Sequence, residues 1–524
     1  MIKETDMSKF TQRLGACFAG NRKIKLTSDA IAALLIGVVI AVNVIAFALT
    51  QAFSLYLFYP DYADLSLSGS TDEYFAEALD NDSHVTVLFC QTEDDVRSSS
   101  TGSFVLTTAN NFAERYPGLV KVKFVNIITG MSVGEDGKKE YIDISQYQQK
   151  DALSGEPQPI YKSSVIFIED ESGRSKVLSD TSTEGYASFY TIDASGAALS
   201  YNGEEMMAAM INWVLTENHK TAYFTTTHGE VADIGFGNMI TAAGYNIDTI
   251  DLRSTKKVPD DAAMVVISNP VKDFERAMEG SNVHSEIERL RDYAESGGAI
   301  YVAIDPYTPR LEVLESFIEE FGIALSSAEN EGRVLRNIVR DSRNAITADS
   351  FTLVCEIADG RYASEIAAAI DKHSASDVIQ RECAALTLTK DAEPILLSSP
   401  ASETYAGDKK TGNEGSYCVG AVGFCENENG EAGRIFVTSS IYLTSTDALV
   451  ANGYSNRVFV YSLLENVFVT GTDMPYGCNT VYYNTEVLEN LTMGKARLYT
   501  ALIMAVPAAL AIVGAVVVVR RKNS

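Results

Sequence analysis

The run KTAYFTTTHGE, residues 220–230, sets the fold of the central part of the chain. Its apolar and β-branched portion, Thr221 to Thr227, predicts a buried strand, and the helical run FGNMITAAGY follows it and ends at Gly244. Three more strands and one intervening helix are predicted downstream, at YNIDTIDL, AMVVISNP, AIYVAIDP and EIERLRDYAESGG. Continuous apolar strands that alternate with helices are typical of a parallel sheet with both faces covered, so we expect an α/β unit of that kind.

The same unit extends toward the carboxyl end of the chain. Strands are predicted at PILLSS, SYCVGAVGFC and RIFVTSS, with an Asn-Gly turn between the last two, and RVFVYSLLENVF is predicted as a helix. We expect these later strands to complete the sheet that begins at Thr221. The unit then covers residues 219–475, with an insertion at about 326–391, and its parallel-sheet architecture is flavodoxin-like or amidotransferase-like.

A second α/β unit is predicted upstream, at residues 56–218. The runs VTVLFC, VKVKFVNI and SVIFIE are expected as strands, a helix ends near Pro117-Gly118, and a hairpin turn follows the third strand. Strand–helix–strand followed by an antiparallel hairpin is the order of a thioredoxin-like domain. The first strand continues into Cys90-Gln91-Thr92-Glu93, which lacks a CxxC pair, so redox exchange is disfavoured.

Two long apolar runs flank these units, at 31–53 and 498–519. At about 1.5 Å per residue each can cross a hydrocarbon layer about 30 Å thick, so we predict a transmembrane helix in each. A cleaved signal peptide is the competing interpretation of the first run, but no small-x-small cleavage site follows it. The predicted organisation is a basic end (1–27), a first span (28–55), the two units, a linker (476–497), a second span (498–519) and a tail (520–524).

Charge sets the predicted orientation. The chain carries 42 basic and 70 acidic residues, a formal net charge of −28, which argues against a nucleic-acid partner because phosphate binding needs a basic surface. Basic residues dominate the two ends, with six against two acidic residues in 1–27 and with Arg520, Arg521 and Lys522 in the tail. By the positive-inside rule we expect both ends in the cytoplasm, two spans in contact with membrane lipid, and the main domain outside the cell membrane.

Pro507 and Gly514 lie inside the second predicted span. In a membrane, neighbouring helices can satisfy the carbonyl that a proline frees, and small residues allow close contact between helices. We predict either packing against a partner helix at these two residues or a tolerated kink without a partner.

The chain has seven cysteines, of which Cys17 precedes the first apolar run and six lie between the two runs. Six cysteines in an exterior domain allow up to three disulfides, whereas domains of this size also accommodate free buried thiols. Both interpretations stay open. Cys418 and Cys425 flank a short segment and are the candidate disulfide pair. No cysteine spacing of the metal-binding type occurs, so no metal site is predicted.

Candidate chemistry concentrates at His228, at the carboxyl end of a predicted parallel strand, where α/β sheets bind ligands. With Glu230 it could form a general base and its orienting partner, or the two residues could form half of a metal site. A metal site needs a third ligand, and Asp233 is merely close in sequence. The alternative is a structural or partner-contact loop made by Thr227, His228, Gly229 and Glu230.

Several catalytic motifs are missing from the sequence. An amidotransferase needs a cysteine nucleophile at a strand-to-helix elbow, whereas AMVVISNP offers Ser268-Asn269-Pro270 there. The GxSxG and GxxxxGK[ST] patterns are both absent, and the glycine-rich stretch before the helix has Ile240 in place of the third glycine. We therefore predict no P-loop ATPase activity and no cofactor.

The run Thr227 to Glu230, after its strand, resembles the Gly-His-Gly-Glu signature of gliding-motility-type ABC transporter auxiliary components, with Thr227 in place of the usual first glycine. NGEEMMAAMINWVL is similar to the Gly-Glu helix that precedes that signature, PILLSSP to its Leu-x-Thr-Ser-Pro strand, and VPAALAIVGAVVVVRRK to its terminal helix. RIFVTSSIYLTS resembles its Gly-Asp-Ser-type turn, although Ser439 and Ser440 stand where Gly-Asp is usual.

The resemblance implies a thioredoxin-like and an amidotransferase-like domain that work beside a separate permease and a separate ATPase. We therefore predict a non-enzymatic auxiliary subunit of an ABC-type export or gliding-motility-like complex, which presents an extracytoplasmic domain to an unknown ligand. The alternative is a cell-surface hydrolase or amidotransferase-like enzyme that uses His228 and Glu230. A signal-transducing receptor is disfavoured because the predicted cytoplasmic portions, about 30 residues in total, are too small for an output domain.

Overall fold

The structure is a computed structural model, and all the residues that it describes belong to one compact unit, Ala63–Arg497. The described ranges are 65–75, 83–133, 137–149, 157–181, 187–193, 195–231, 233–276, 285–346, 350–374, 376–389, 391–426, 432–451, 453–468 and 474–483. The proposed domain boundaries at 56–218 and 219–475 stay a prediction.

The described residues contain no helix that is long and apolar enough to cross a membrane. The predicted class, an ectodomain flanked by two transmembrane helices, and the predicted location in a cell membrane are therefore corrected: the described residues form a mixed α/β fold, and none of their helices could span a membrane. The two apolar runs at 31–53 and 498–519 lie outside the described residues, and so do Pro507 and Gly514.

The amino-terminal half of the described chain combines short strands with four α-helices. In chain order its elements are α1 (Ser70–Tyr74), β1 (Val85–Phe89), α2 (Glu93–Ser98), α3 (Gly102–Arg115), β2 (Val120–Asn126), β3 (Met131–Val133), β4 (Lys139–Tyr141), β5 (Val165–Glu169), β6 (Ser175–Thr181), β7 (Ser188–Ile192), β8 (Ala198–Tyr201) and α4 (Gly203–Leu215).

The carboxyl-terminal half begins with strand–helix alternation and ends in hairpins. Its strands are β9 (Thr221–Thr225), β10 (Asn246–Ile250), β11 (Ala262–Ser268), β12 (Ala299–Ala303), β13 (Ile323–Leu325), β14 (Ser327–Asn330), β15 (Arg333–Arg336), β16 (Ile338–Arg340), β17 (Thr352–Ile357), β18 (Val378–Arg381), β19 (Leu386–Leu388), β20 (Glu393–Ser398), β21 (Glu403–Ala406), β22 (Lys409–Gly412), β23 (Cys418–Glu426), β24 (Ala432–Thr438) and β25 (Val481–Tyr482). Its helices are α5 (Ile234–Ala242), α6 (Glu286–Glu295), α7 (Glu312–Glu320), α8 (Arg361–His373), α9 (Thr446–Leu449) and α10 (Asn456–Ser462).

Nine strands of the described chain form the first sheet, in the order β25-β8-β7-β6-β5-β1-β2-β3-β4. β1 is parallel to β2 and antiparallel to β5, and β5 is antiparallel to β6. The strands predicted at VTVLFC, VKVKFVNI and SVIFIE are confirmed as β1, β2 and β5. The polar segment after β2 adds the short β3–β4 hairpin at one edge of the sheet.

The second sheet is mixed rather than parallel, which corrects the predicted parallel-sheet architecture. Its main path is β10-β9-β11-β12-β24-β23-β20-β17-β18, with β13 and β19 attached beside it. The path is parallel from β10 to β24 and antiparallel from β24 to β18. Antiparallel neighbours need no crossover helix, so the helix-poor later part of the chain extends the sheet by hairpins. β20, β23 and β24 confirm that the later strands complete the sheet begun at Thr221.

Helix α4 lies in the core that the two sheets share. Met206, Met207 and Met210 are buried in one hydrophobic cluster with Phe112 of α3 and Phe459 of α10. Each fully buried methionine contributes roughly 1.5–3 kcal/mol relative to an exposed one. The methionine-bearing side of this helix is therefore core.

The first turn of α4 also carries two buried carboxylates that fasten distant segments. Glu204 accepts hydrogen bonds from the backbone and hydroxyl of Ser68, at 2.6 and 2.7 Å, and from the backbone N–H of Asn479 at 2.7 Å. Glu205 forms an ion pair with Arg457 of α10 and accepts a hydrogen bond from Tyr461 on the same helix. Burial would lower the pKa of Arg457, but the charge of Glu205 outweighs burial and raises it.

Replacing Glu205 by Gln should destabilise the protein by about 3 kcal/mol, because it leaves the largely buried Arg457 without a counter-charge. The free energy of unfolding from urea denaturation measures this loss. The matched control is Glu93→Gln, which breaks the exposed i,i+4 pair with Arg97 and should cost less than about 1 kcal/mol. Equal losses in the two variants would contradict the proposed importance of the Glu205 pair.

Candidate functional site

The loop after β9 lies at the carboxyl end of the parallel half of the second sheet, between β9 and α5. Two of its residues have positive φ angles, Thr227 at +87° and Gly229 at +79°. Glycine adopts this conformation freely, whereas a β-branched residue is strained in it. Thr227 thus occupies a backbone position that favours glycine, the residue that is usual there in the signature to which this run is similar.

His228 is almost completely buried and both of its ring nitrogens contact carboxylates. Nδ1 lies 2.9 Å from Glu230 Oε1, and Nε2 lies 3.1 Å from Glu286 Oε2. The backbone N–H of His228 donates to the other oxygen of Glu230 at 2.7 Å. The imidazole ring also stacks on Phe274, with the ring centroids 3.9 Å apart. The structure therefore brings His228 and Glu230 together, as the sequence suggested, and adds Glu286 and Phe274.

Glu286 is the first residue of helix α6 and is 1% exposed. Its Oε2 accepts a second hydrogen bond, at 2.7 Å, from the backbone N–H of Glu275. The helix begins there because Ser285 caps it and Glu288 completes a capping box. This arrangement holds the Glu286 carboxylate against His228. The same carboxylate also binds the backbone of the loop after β11.

The two carboxylates keep His228 charged. Burial alone would lower the pKa of His228, because it disfavours the imidazolium, but the hydrogen bonds and charges of Glu230 and Glu286 raise it to about 9. Burial alone would raise the pKa of Glu230, yet the hydrogen bonds from His228 and from the backbone hold the pKa of this carboxyl below its usual value. At neutral pH His228 is an imidazolium that donates from both nitrogens.

This geometry limits the chemistry of His228. A general base needs an unprotonated ring nitrogen within reach of a substrate proton, and a metal ligand needs a free lone pair. Both nitrogens of His228 are instead engaged with Glu230 and Glu286. Asp233 is not part of the cluster, because its side chain caps α5 at Gly235 and accepts from Thr446. Within the described ranges, no group of three histidine, cysteine or acidic residues is placed to hold a metal ion.

The loop after β11 packs against the loop from Thr227 to Glu230, which we call the signature loop. The carbonyl of His228 accepts from the backbone N–H groups of Val271 and Lys272, both at 2.9 Å. A Cβ built on Gly229 would lie 2.5 Å from Val271 Cγ2, so only glycine fits under this side chain. Ser268, which stands where an amidotransferase would carry its nucleophile, donates its hydroxyl to the carbonyl of Val231 at 3.0 Å.

The predicted cysteine pair does not form. Cys418 and Cys425 lie at positions one and eight of the single strand β23 and are both free thiols. Seven residues of strand span about 23 Å, far beyond the Cα separation that a disulfide allows. Burial raises the pKa of the Cys90 thiol, after β1, to about 12, which agrees with the absence of a CxxC pair there.

The serines that replace Gly-Asp in the resemblance are structural in this chain. Ser439 and Ser440 follow β24 and are fully buried. Their hydroxyls donate to the backbone carbonyls of Ala384 and Arg381, respectively. They therefore connect the end of β24 to the last residue of β18 and to the segment after it, and they carry no charge into the site.

Sequence reasoning missed Glu286 and Phe274. The Ser285-x-x-Glu288 capping signal predicts where α6 begins, and it therefore places Glu286 at a helix start near the carboxyl ends of the strands. No local spacing connects it with His228, which lies 58 positions earlier. Phe274 carries no signal that separates it from an ordinary core residue.

Comparison with known proteins gives no family and only weak structural similarities. No family model matches the chain, and no curated protein matches it. Among solved structures, one described as the mmIFT52 N-terminal domain is 18% identical, with a TM-score of 0.36, over 48% of this chain and 98% of its own length. PurLQS from Thermotoga maritima is 12% identical, with a TM-score of 0.26, over 48% of this chain and 99% of that one. A thua-like protein from Bacteroides uniformis is 12% identical, with a TM-score of 0.27, over 47% and 91%.

Stability should depend on pH through His228. Its folded-state pKa of about 9 lies above the ordinary value of 6.5, so its contribution is fully present below pH 6.5 and is lost as the pH rises through 9. The difference in unfolding free energy between the native protein and His228→Gln should shrink by about 3 kcal/mol between these pH values. Urea denaturation across that range measures it.

Glu286→Gln serves as the second variant in that experiment. It keeps an acceptor beside His228 Nε2 but removes one negative charge, so the loss of stability should move to lower pH. If the difference in unfolding free energy between the native protein and His228→Gln stayed constant from pH 6.5 to 9, His228 would not be held as an imidazolium.

Replacing Thr227 by Gly should stabilise the protein by about 1 kcal/mol, because it relieves the positive φ angle and removes a buried hydroxyl without a hydrogen-bond partner. The midpoint of thermal unfolding measures the effect. The matched control is Thr226→Gly, whose φ is not positive and whose hydroxyl bonds the carbonyl of Ile250, so it should destabilise. Destabilisation by both changes would contradict the assigned strain at Thr227.

Proposed function

We propose that this protein is a non-enzymatic auxiliary subunit of an ABC-type export or gliding-motility-like complex, which binds a ligand or partner beside a separate permease and a separate ATPase. The proposal takes its complex from the sequence resemblance described above. It takes its non-enzymatic character from the construction of the signature loop.

The occupied imidazole of His228 carries the non-enzymatic part of this proposal. A histidine whose two nitrogens donate to buried carboxylates stabilises a loop, whereas a catalytic histidine keeps one nitrogen for the reacting group. Here Glu230 and Glu286 fill both positions, and Phe274 covers the ring. The signature residues thus support a rigid surface loop better than a proton-transfer centre.

The cysteines of the described chain support the same view. A nucleophilic cysteine needs a lowered pKa in an electropositive, accessible place. Burial instead raises the pKa of all six described thiols, Cys90, Cys355, Cys383, Cys418, Cys425 and Cys478. None of them follows β9, β11 or β12, the strands whose carboxyl ends surround the loop.

Affinity purification of the full-length chain from its native cells tests the proposed complex. After mild detergent extraction, which keeps membrane partners soluble, the tagged chain should recover a multi-span permease and an ATPase in comparable amounts. The control is the same tag on an unrelated protein of similar abundance. Recovery of neither subunit above that control would overturn the proposal.

The complex should also form when the side chain at position 228 cannot transfer a proton. His228→Gln is expected to retain the co-purified partners at growth temperature if its only effect is reduced stability. If that variant recovers both partners but abolishes a hydrolytic activity of the purified complex, the enzymatic alternative replaces the non-enzymatic one.

A further inference from the structure

Strand β4 forms one edge of the first sheet, and its outer side has no neighbouring strand among the described residues. The backbone N–H of Ile142 donates to the carbonyl of Gly130 at 2.8 Å, on the β3 side. Hydrogen-bonded pairs of an antiparallel ladder recur at every second residue, so Glu140 also directs its backbone groups toward β3. The chain stays extended as far as the residue after Ile142. The residues whose backbone groups point outward are therefore Lys139, Tyr141 and Asp143.

This edge is open, whereas the far edge of the second sheet is closed by a side chain. Asn456 of α10 takes the place of a strand beside β18: its Oδ1 accepts from the N–H of Ile379 at 3.0 Å, and its Nδ2 donates to the carbonyl of Ile379 at 2.9 Å. Within the described chain no side chain caps the outward backbone groups of β4 in this way. An uncapped edge strand is a template for pairing with another strand.

One face of the β3–β4 hairpin presents apolar side chains to solvent. Met131 lies directly opposite Tyr141, and Val133 lies on the same face two residues further along β3. Met131 is 36% exposed, Val133 64% and Tyr141 68%. The other face is covered by the chain itself, since Ser132 is buried and Ile142 packs in the third hydrophobic cluster. An open apolar face beside an uncapped edge is typical of an interaction site.

Charge at this edge is balanced, although the chain as a whole carries a net charge of −28. The segment that comprises β2 and the hairpin, residues 120–143, contains four lysines and four acidic residues. They are Lys121, Lys123, Lys138, Lys139, Glu135, Asp136, Glu140 and Asp143, of which Glu135 and Asp136 lie outside the described residues. Two copies of the chain can therefore meet here with less repulsion than their net charge implies.

The sequence of the edge is complementary to itself in one antiparallel register. Placing Tyr141 opposite Tyr141 of a second copy brings Lys139 opposite Asp143 on each side of the two-fold axis. Other registers lose this match, because they bring Glu140 opposite Glu140, or Lys139 opposite Lys139, or leave the lysine without an acidic partner. Lysine at an edge usually discourages pairing. Here the aspartate four residues later supplies the opposite charge, and such cross-strand pairs are favourable.

We propose that two copies of this chain associate through β4, by antiparallel pairing of the edge strands with Tyr141 opposite Tyr141. The first sheets of the two copies then form one continuous sheet. Met131 and Tyr141 of each copy make one apolar row across the junction. Asp143 uses Oδ1 to accept from Ser145, which leaves Oδ2 for Lys139 of the other copy. The pairing is independent of the proposed permease and ATPase, so either proposal can fail without the other.

Disulfide crosslinking between copies of the full-length chain tests the register. Opposite residues of a hydrogen-bonded pair have Cα atoms about 5.5 Å apart, a separation that suits a disulfide. Tyr141→Cys, oxidised after detergent extraction, should therefore give a covalent dimer on a non-reducing gel. The matched control is Glu140→Cys, the adjacent exposed residue, which lies opposite Ile142 of the other copy and should stay at the background set by the unsubstituted chain.

Three results of this experiment would overturn the inference. They are no covalent dimer from Tyr141→Cys, equal yields from Tyr141→Cys and Glu140→Cys, and crosslinks of Tyr141→Cys to another protein but not between copies.

Copies that carry different cysteines test the pairing of Lys139 with Asp143. Lys139→Cys and Asp143→Cys copies with different tags should crosslink to each other when they are mixed. Neither variant should crosslink to itself, because the two identical residues are then about 13 Å apart along the strands. A covalent dimer from Lys139→Cys alone would overturn the proposed register.

Charge reversal provides a measurement without added cysteines. Two differently tagged full-length copies should co-purify, and Lys139→Glu in both should lower the recovery at least fivefold, because Asp143 then faces a carboxylate. Lys123→Glu, at an exposed lysine of β2, changes the net charge equally and should leave the recovery unchanged. The double variant Lys139→Glu/Asp143→Lys reverses both signs and should regain most of the recovery. Circular dichroism checks that each variant is folded, since Asp143 also caps the turn at Ser145. Equal recovery for all these variants would overturn the inference.

Discussion

A buried imidazolium between two carboxylates is the interaction on which the loops at the carboxyl ends of β9 and β11 depend. The cluster around His228 joins its own loop after β9 to two later segments: the loop after β11, which contains Phe274 and Glu275, and the first residue of α6. Removing one partner of such a cluster leaves an uncompensated buried charge, which costs more than the cluster contributes in net stability. The loop geometry is thus specified by charge at a place where regular secondary structure has ended.

The signature residues surround this cluster in a consistent way. Gly229 is required because Val271 fills the space where a side chain would stand, and Glu230 turns back to bind both the ring and the backbone of His228. Thr227 is the exception, since its φ angle favours glycine. The first two observations explain why glycine and glutamate follow His228 at the end of β9 without reference to catalysis.

Local sequence signals were enough to locate β1, β2 and β5 of the first sheet and seven strands of the second, and to choose His228 as the candidate residue. The apolar runs predicted β9, β11 and β12, and the strand-end position of His228 followed from them. The partner Glu286 could not be found in this way, because long-range pairing leaves no mark in local spacing. The mixed sheet was missed for a related reason: a strand buried on both faces has the same continuous apolar pattern whether its neighbours are parallel or antiparallel. The predicted Cys418–Cys425 pair failed because two cysteines in one strand are held apart by its extension.

The raised pKa values of the buried thiols have a consequence for how the molecule can be studied. A protonated thiol shielded from solvent reacts with an alkylating reagent only when the segment around it opens. Cys90 follows β1 of the first sheet, and Cys355 lies within β17 of the second. The native sequence therefore contains built-in probes in both sheets. Their relative labelling rates compare the local opening of the two sheets in the unsubstituted chain, and they would reveal whether the sheets open together or one at a time.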